Sequence, residues 1–555
     1  MPDSRLDGAV ITVDGRALTA ELHARLVQLR VEESVQLPDA FELRFEDAYF
    51  KLFDEAIFAV GTKIEIGMRA DGDPTVITSG EVTALSVEPG RSTGSGGPGR
   101  HELVVSGFDL THRLAQAPRR RTFQSMSDAD IAGQIGAEYS LQVDADATGP
   151  RHDYVMQSNE TDLAFLRRRA ARTGHDLWVT GSTLHLKRRP SAQATPPNLR
   201  WGDNLLHFSV RFTAADRADE VLVRGWDPMG KQAIIGRATD TELITDALAA
   251  MQSDSSAQRS FGSIQRSATT LVVRDQAEAD QVADSLLSRA SGEGVVLRGD
   301  AKGDPQIGAG ADLKIDGAGS RLSGRYRATS VTHLYGSGHP YQTRFVCSGP
   351  ESAGLADLIG GRAAEPFRPE MLGLMVGEVT NTDDPEGLCR VKVRLPSFST
   401  EEESAWARVA SPGAGPRRGM QWMPEVNDEV LVGFEHGDPT RPMVLGGLWN
   451  RSDLPPEPGA VDGGRTNTRL LTSRDGHRLA LTDDPTATAE LSVSGTAAKL
   501  ILTQDSSELT GDTELTISAK KIVISATESL TLSGPRVEIS ADTALTLKGQ
   551  PIKLN

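Results

Sequence analysis

Apolar and polar residues alternate along much of this chain, most regularly at its C-terminal end. There, apolar pairs fall at Leu515/Ile517, Ile522/Ile524, Leu530/Leu532, Val537/Ile539, Leu545/Leu547 and Ile552/Leu554. The steps between pairs are 7, 8, 7, 8 and 7 residues, so the unit is 15 residues holding two strands. Period-2 alternation is the sign of a half-buried strand, and Ser, Ala, Gly, Lys and Pro between the strands turn the chain. Two inward side chains per strand contribute roughly 1.5–3 kcal/mol apiece when fully buried. Ordering the backbone costs roughly 1–2 kcal/mol per residue. One chain winding alone on such thin walls encloses almost nothing. Three identical chains wound together gather inward pairs from three sides at every layer and cover one another's strand edges. The pattern predicts a triple-stranded β-helix formed by a homotrimer. Its core is Leu515, Ile517, Ile522, Ile524, Leu530, Leu532, Val537, Ile539, Leu545 and Leu547. The competing reading is an antiparallel meander, which rarely keeps so strict a period.

The preceding residues predict a mainly β chain with an α+β body. Residues 1–115 read as strands with a long Gly/Ser/Pro loop at 88–100. Two helices follow. Ser127 and Asp130 have capping-box spacing before Ile131 and Ile135. Asn159 is the candidate cap of the second, with Leu163, Leu166 and Ala170 on one face and Gly174 as the stop. A third spans about 275–290, starting at Asp275 and Glu278 with Val282, Ala283, Leu286, Leu287 and Ala290 buried. Five short strands within 366–450 suit an OB-fold; in one, Cys389, Val391, Val393 and Leu395 face inward and Arg390, Lys392 and Arg394 outward. The domains are thus 1–365, 366–450, a polar linker 451–469, and a neck and needle 470–555.

Composition narrows the function. A net charge of −17 argues against sequence-independent nucleic-acid binding. The basic runs Arg119–Arg121 and Arg167–Arg169 read as solvated or interface faces. Cys347 and Cys389 are 42 residues apart, which suits a reducing cytosol and gives no disulfide scaffold. The polar, acidic start predicts synthesis in the cytoplasm without a signal peptide, and no apolar run approaches a membrane span. Catalytic patterns are weak. GRSTG (90–94) and GSGGPG (94–99) match nucleophile-elbow and dinucleotide spacings, but in a low-complexity loop rather than at a strand-to-helix turn. His436, Asp438 and Pro439 read as turn residues, and Glu401–Glu403 as a solvated charge run. No catalytic residue, metal ligand or cofactor is expected.

Three segments resemble one family. GFDLTHRL, QSNETDLAFLRRRAARTG and VLVRGWD resemble the phage baseplate-hub part of VgrG, the valine-glycine repeat protein G family. GLCRVKVRLP and MPEVNDEVLVGFEHGDPTRPMVLGGLWN are similar to its barrel, and the terminal repeat is similar to its needle. The resemblance implies phage-hub-like barrels, an OB-fold and a trimeric needle at the tip of a contractile injection machine. It implies these partners: the chain itself, a hexameric inner-tube protein, baseplate proteins, a PAAR-type (proline-alanine-alanine-arginine) tip protein and, transiently, a target membrane. The short length points to an extracellular injection particle, ahead of a type VI secretion spike or a phage hub. Only about 20 polar residues stand where some relatives insert a hydrolase, and no histidine follows His477, so no His-x-His tip is expected. Ile552, Lys553, Leu554 and Asn555 are expected to form a blunt platform for the tip protein. The alternatives are a tail spike with a hydrolase hidden in the hub, which a peptidoglycan assay separates, and a sugar-binding barrel. The latter needs an aromatic face, and Phe398, Trp406, Trp422, Phe434 and Trp449 are not clustered in sequence.

Overall fold

The computed structural model describes residues 8–35, 37–69, 72–89, 100–149, 151–188, 195–213, 218–227, 230–239, 262–268, 271–292, 295–336, 339–347 and 373–553. The long loop's residues 90–99, with both weak catalytic patterns, and the tip residues Leu554 and Asn555 lie outside these. Two compact units result, Met1–Leu448 and Trp449–Asn555.

The first unit is built on an 11-stranded sheet that draws from both ends of residues 9–347. Strands Ala9–Val13 to Arg100–Asp109 form one end, and Leu205–Phe212, Val295–Lys302, Ser330–Gly336 and His339–Cys347 the other. The join is antiparallel pairing of Ser330–Gly336 with Leu26–Ser34. Alternation drives the burial: in Ala40–Ala48, Phe41, Leu43, Phe45 and Asp47 all point inward. Residues 9–105 and 199–347 each supply a separate apolar core to the two ends.

The N-terminal part, expected to be strands and one loop, also holds three short helices: α1 (Ala20–Ala24), α2 (Lys51–Asp54) and α3 (Thr111–Leu114). Four or five residues are too few to show a helical period. The buried Asp47 explains α2, because its carboxylate accepts from Leu52 N at 2.8 Å and Phe53 N at 3.1 Å.

Between the two ends of the sheet lies an α/β insertion. Helix α4 (Asp128–Glu138) starts with the expected capping box of Ser127 and Asp130 and buries Ile131 and Ile135. Helix α5 (Asp162–Arg172) buries Leu163, Leu166 and Ala170 as expected, and Gly174 follows it at φ 70°. Its cap, however, is Thr161, which accepts from Ala164 N at 3.2 Å. Asn159 instead sits at a strand bulge with φ 52°, because the strand His152–Thr161 continues to the helix start. Helix α6 (Gln276–Gly292) begins where Asp275 accepts from Glu278 N, and packs Val282, Ala283, Leu287 and Ala290 onto strands Glu220–Asp227 and Gln232–Ala238.

The five expected strands close into a barrel in the order Met375–Asn381, Arg390–Arg394, Ala407–Val409, Pro442–Gly447, Glu429–Phe434. Val379, Val391, Val393, Ala407, Val430, Val432 and Val444 fill it. Cys389 does not face inward. It precedes the strand at φ 58° and is exposed. Arg390 is buried rather than outward, held by Asp384 at 2.6 Å. The barrel rests on the insertion: Tyr154 and Met156 enter its core cluster, and Tyr154 Oη donates to Glu403 O at 2.9 Å.

Candidate assembly surfaces

In the second unit, strands Thr468–Thr472, Arg478–Thr482, Thr488–Ser492, Lys499–Thr503 and Ser507–Thr510 form an antiparallel sheet in chain order. Its register aligns leucines. Leu471 lies opposite Leu479, Leu479 opposite Leu491, Leu491 opposite Leu500, and Leu500 opposite Leu509. Leu481 and Leu502 share that face, two residues further along their strands. Leu471 is 42% exposed and Leu491 and Leu509 are each 55% exposed. This cross-strand row escaped the sequence reading because the intervening turns differ in length. Only the pairing register brings the leucines together.

Residues 511–553 have no strand assignment within the single chain. The ten expected core residues, from Leu515 to Leu547, lie between 49% exposed at Ile522 and 64% at Ile524. Val523 between those two is also open, at 72%, so one chain covers neither face of its own repeat. Ile552 is half exposed and Lys553 is exposed.

Several charged positions behave differently from their sequence reading. Arg169 is buried, donating from Nε to Asp128 Oδ1 at 2.6 Å and lying 2.6 Å from His152 Nε2. Burial pushes the Asp128 carboxyl up, but Arg169 and His152 outweigh it and hold it below its ordinary range. Arg172 pairs with Glu278 of α6 at 2.8 Å. Arg121 reaches Gln157, Glu138 and Asp162. These side chains stitch the helices together because α5 is covered on more than one side, which a charge run alone does not reveal. Glu401 is exposed as expected, but Glu402 accepts from Thr122 and Glu403 pairs with Lys392 at 3.3 Å, fastening the barrel loop. Asp438 accepts from the amide and hydroxyl of Thr440, as befits a turn. Of the five rings, Phe398 is buried, Trp406 lies under Arg390 and Lys392 at 5.9 and 5.6 Å, and Trp422 and Trp449 are exposed. Among the described residues, no cluster of His, Cys, Asp and Glu could hold a metal ion, and no helix is long and apolar enough to cross a membrane.

The first unit also holds a pair of carboxyl groups with raised pKa values. Burial pushes Asp39 up to about 8, with the charges of Asp109 and Glu33 adding to it. Burial likewise pushes Asp109 up to about 6. A carboxyl group whose pKa is raised by folding stabilises the fold at acid pH and loses that contribution as pH climbs through the raised value. Asp39→Asn keeps an acceptor for Ser34 N and removes the charge. The variant is expected to match the parent near pH 4 and to be about 1–3 kcal/mol more stable near pH 9. Melting curves of both proteins across that range check it, and a constant difference counts against the raised pKa.

Residues 5–336, more than half of the chain, match the Alg8 N-terminal domain family. The chain belongs to that family. Residues 375–449 match the type VI secretion system/phage-baseplate injector OB domain, which coincides with the closed barrel. The VgrG-type reading of the sequence holds. The chain is 34% identical over 119 residues to the type VI secretion system spike protein VgrG3 of Vibrio cholerae, covering 20% of this chain and 12% of that protein. It is 26% identical over 390 residues to VgrG5 of Pseudomonas aeruginosa, covering 61% of this chain and 46% of that one. A further relative, the actin cross-linking toxin VgrG1 of V. cholerae, is 32% identical over 103 residues, 17% of this chain and 9% of the toxin. The chain thus spans less than half the length of these relatives. In fold it is similar to a chain of the Francisella PdpA-VgrG complex, with a TM-score of 0.54 and 11% identity over 92% of this chain and 81% of that one.

Proposed function

We propose that three copies of this chain form the hub and spike at the tip of a contractile injection machine, joining its tube to a piercing needle. The observation that carries this reading is the succession of an Alg8-type hub, an injector-type OB barrel, and a C-terminal unit whose leucine row and apolar repeat have no cover within one chain. The repeat residues Leu515–Leu547 are the core of a three-chain needle, continued upward by the leucine face of the five-stranded sheet. The hub ring receives a hexameric tube protein, and baseplate proteins surround it. The role is mechanical rather than enzymatic, and the machine is an extracellular particle ahead of a type VI apparatus or a phage tail. Mixing the purified chain with the tube protein encoded beside it tests the reading: short tubes capped at one end by the chain are expected, and tubes without it count against the hub role.

Ile552 is half exposed and Lys553 exposed, so neither side chain is covered within one chain. We assign Ile552, Lys553, Leu554 and Asn555 to a docking platform for a PAAR-type cone. Deleting these four residues is expected to leave the trimer intact and to abolish retention of the neighbouring PAAR-type protein in a pull-down. Equal retention by the truncated and full-length chains overturns the assignment.

A further inference from the structure

The first unit contains a cavity of about 610 Å³ that the spike role does not use. Its volume lies within the roughly 300–1,000 Å³ common for ligand sites. Two of the strand segments that line it have an unpaired edge among the described residues. One is 176–181, from the strand His175–Thr180 and the turn after it. That strand is the edge of its three-stranded sheet and, among the described residues, pairs only with Thr183–Arg188. The other is 76–79, the start of strand Thr75–Pro89. There the strand pairs with Lys63–Met68 on one side, while its pairing with Arg100–Asp109 on the other begins only at Gly80. An open strand edge is a template for a further strand.

The lining is acidic. Glu33, Asp39, Glu65, Asp109 and Asp176 supply five carboxyl groups, of which Asp39 keeps its proton up to about 8; the one cationic side chain among the lining residues is Arg327, bonded to Asp312 at 3.0 Å, while Arg167 outside the lining faces Asp39 and Asp109. Glu33 accepts from Ala309 N and lies 3.1 Å from His333. A polar group in the lining is also unsatisfied: Thr78 is 6% exposed and its hydroxyl has no hydrogen-bond partner among the described residues. Buried hydroxyls are normally paired. Trp178 stacks on His185 with ring centroids 5.0 Å apart, giving the slot an apolar wall beside the charges.

We propose that this slot binds an extended, basic segment of a partner protein, which adds a strand to the open edge at 176–181 and places lysine or arginine side chains against the carboxylates. Alternate side chains of an added strand point the same way, so a segment with a cation at every second residue satisfies both features. The occupant is basic because the lining is acidic, and it is a partner because this chain itself carries a net charge of −17. The proposal is independent of the spike role.

The test uses the full-length protein and a fluorescein-labelled heptapeptide of alternating valine and lysine. Two controls accompany it: the same peptide N-methylated at alternate amides, and one with glutamate for lysine. Saturable binding is expected, at least tenfold weaker for each control. Hydrogen exchange is expected to slow at 76–79 and 177–180 on adding the basic peptide. Glu65 is exposed on its strand, so Glu65→Lys leaves the fold intact and is expected to weaken binding at least tenfold without a change in melting. Three outcomes overturn the proposal: no saturable binding, equal binding of the N-methylated peptide, or full exchange protection of both segments before any peptide is added. The last outcome means that a neighbouring copy already fills the slot.

Discussion

The full-length chain is expected to run as a trimer in light scattering, and a chain ending at residue 465 as a monomer. The first unit has five apolar cores of its own, including the barrel cluster, and carries its fold without the C-terminal unit. The second unit has little interior. Ala480 is its one buried hydrophobic residue among those described, while leucines from Leu471 to Leu509 and the whole repeat stay half exposed. Burying the rest of each such side chain contributes on the order of 1 kcal/mol, multiplied over three chains. That gain is available only on association. The shortened chain should therefore keep a cooperative melt and lose its concentration dependence. A stable full-length monomer counts against the trimer and against both parts of its proposed interface.

Leu532→Asp is expected to produce the largest loss for a single substitution. In one chain Leu532 is 63% exposed, so a carboxylate there costs an isolated chain nearly nothing. In a three-chain needle it places three like charges at one level of a closed core. Unpaired burial of that kind costs several kcal/mol. The same contrast holds for Leu491→Asp on the leucine face, where the residue is 55% exposed in one chain. Interwound chains also separate only in concert, so the parent should resist denaturant kinetically. Unfolding rates in guanidinium and the proportion of trimer in each variant check both substitutions. Unchanged behaviour of Leu532→Asp means that this residue is not in a core.

What was legible in the sequence follows from the range of each interaction. Capping at Ser127 and Asp130, the buried stripes of α4, α5 and α6, and the alternation of the barrel strands depend on residues a few positions apart, and these are where expectation and structure agree. Asn159 failed as a cap because Asn and Thr are both good caps, and the strand pairing of residues 152–161 chose between them. Cys389 failed as an inward residue because a left-handed turn at its own position breaks the alternation.

The sequence by itself determined a mainly β chain with an OB barrel and a strict 15-residue apolar repeat, since periodicity is written locally. Only the tertiary structure decided the rest. It merged residues 9–109 and 205–347 into one 11-stranded sheet, aligned the leucines of five strands into a row, turned Arg169 from a surface charge into a buried tie, and left two strand edges unpaired among the described residues across an acidic cavity. Each of these depends on register and on contacts between residues far apart in the chain. Local alternation dictates which face of a strand is apolar but not which strand will lie beside it.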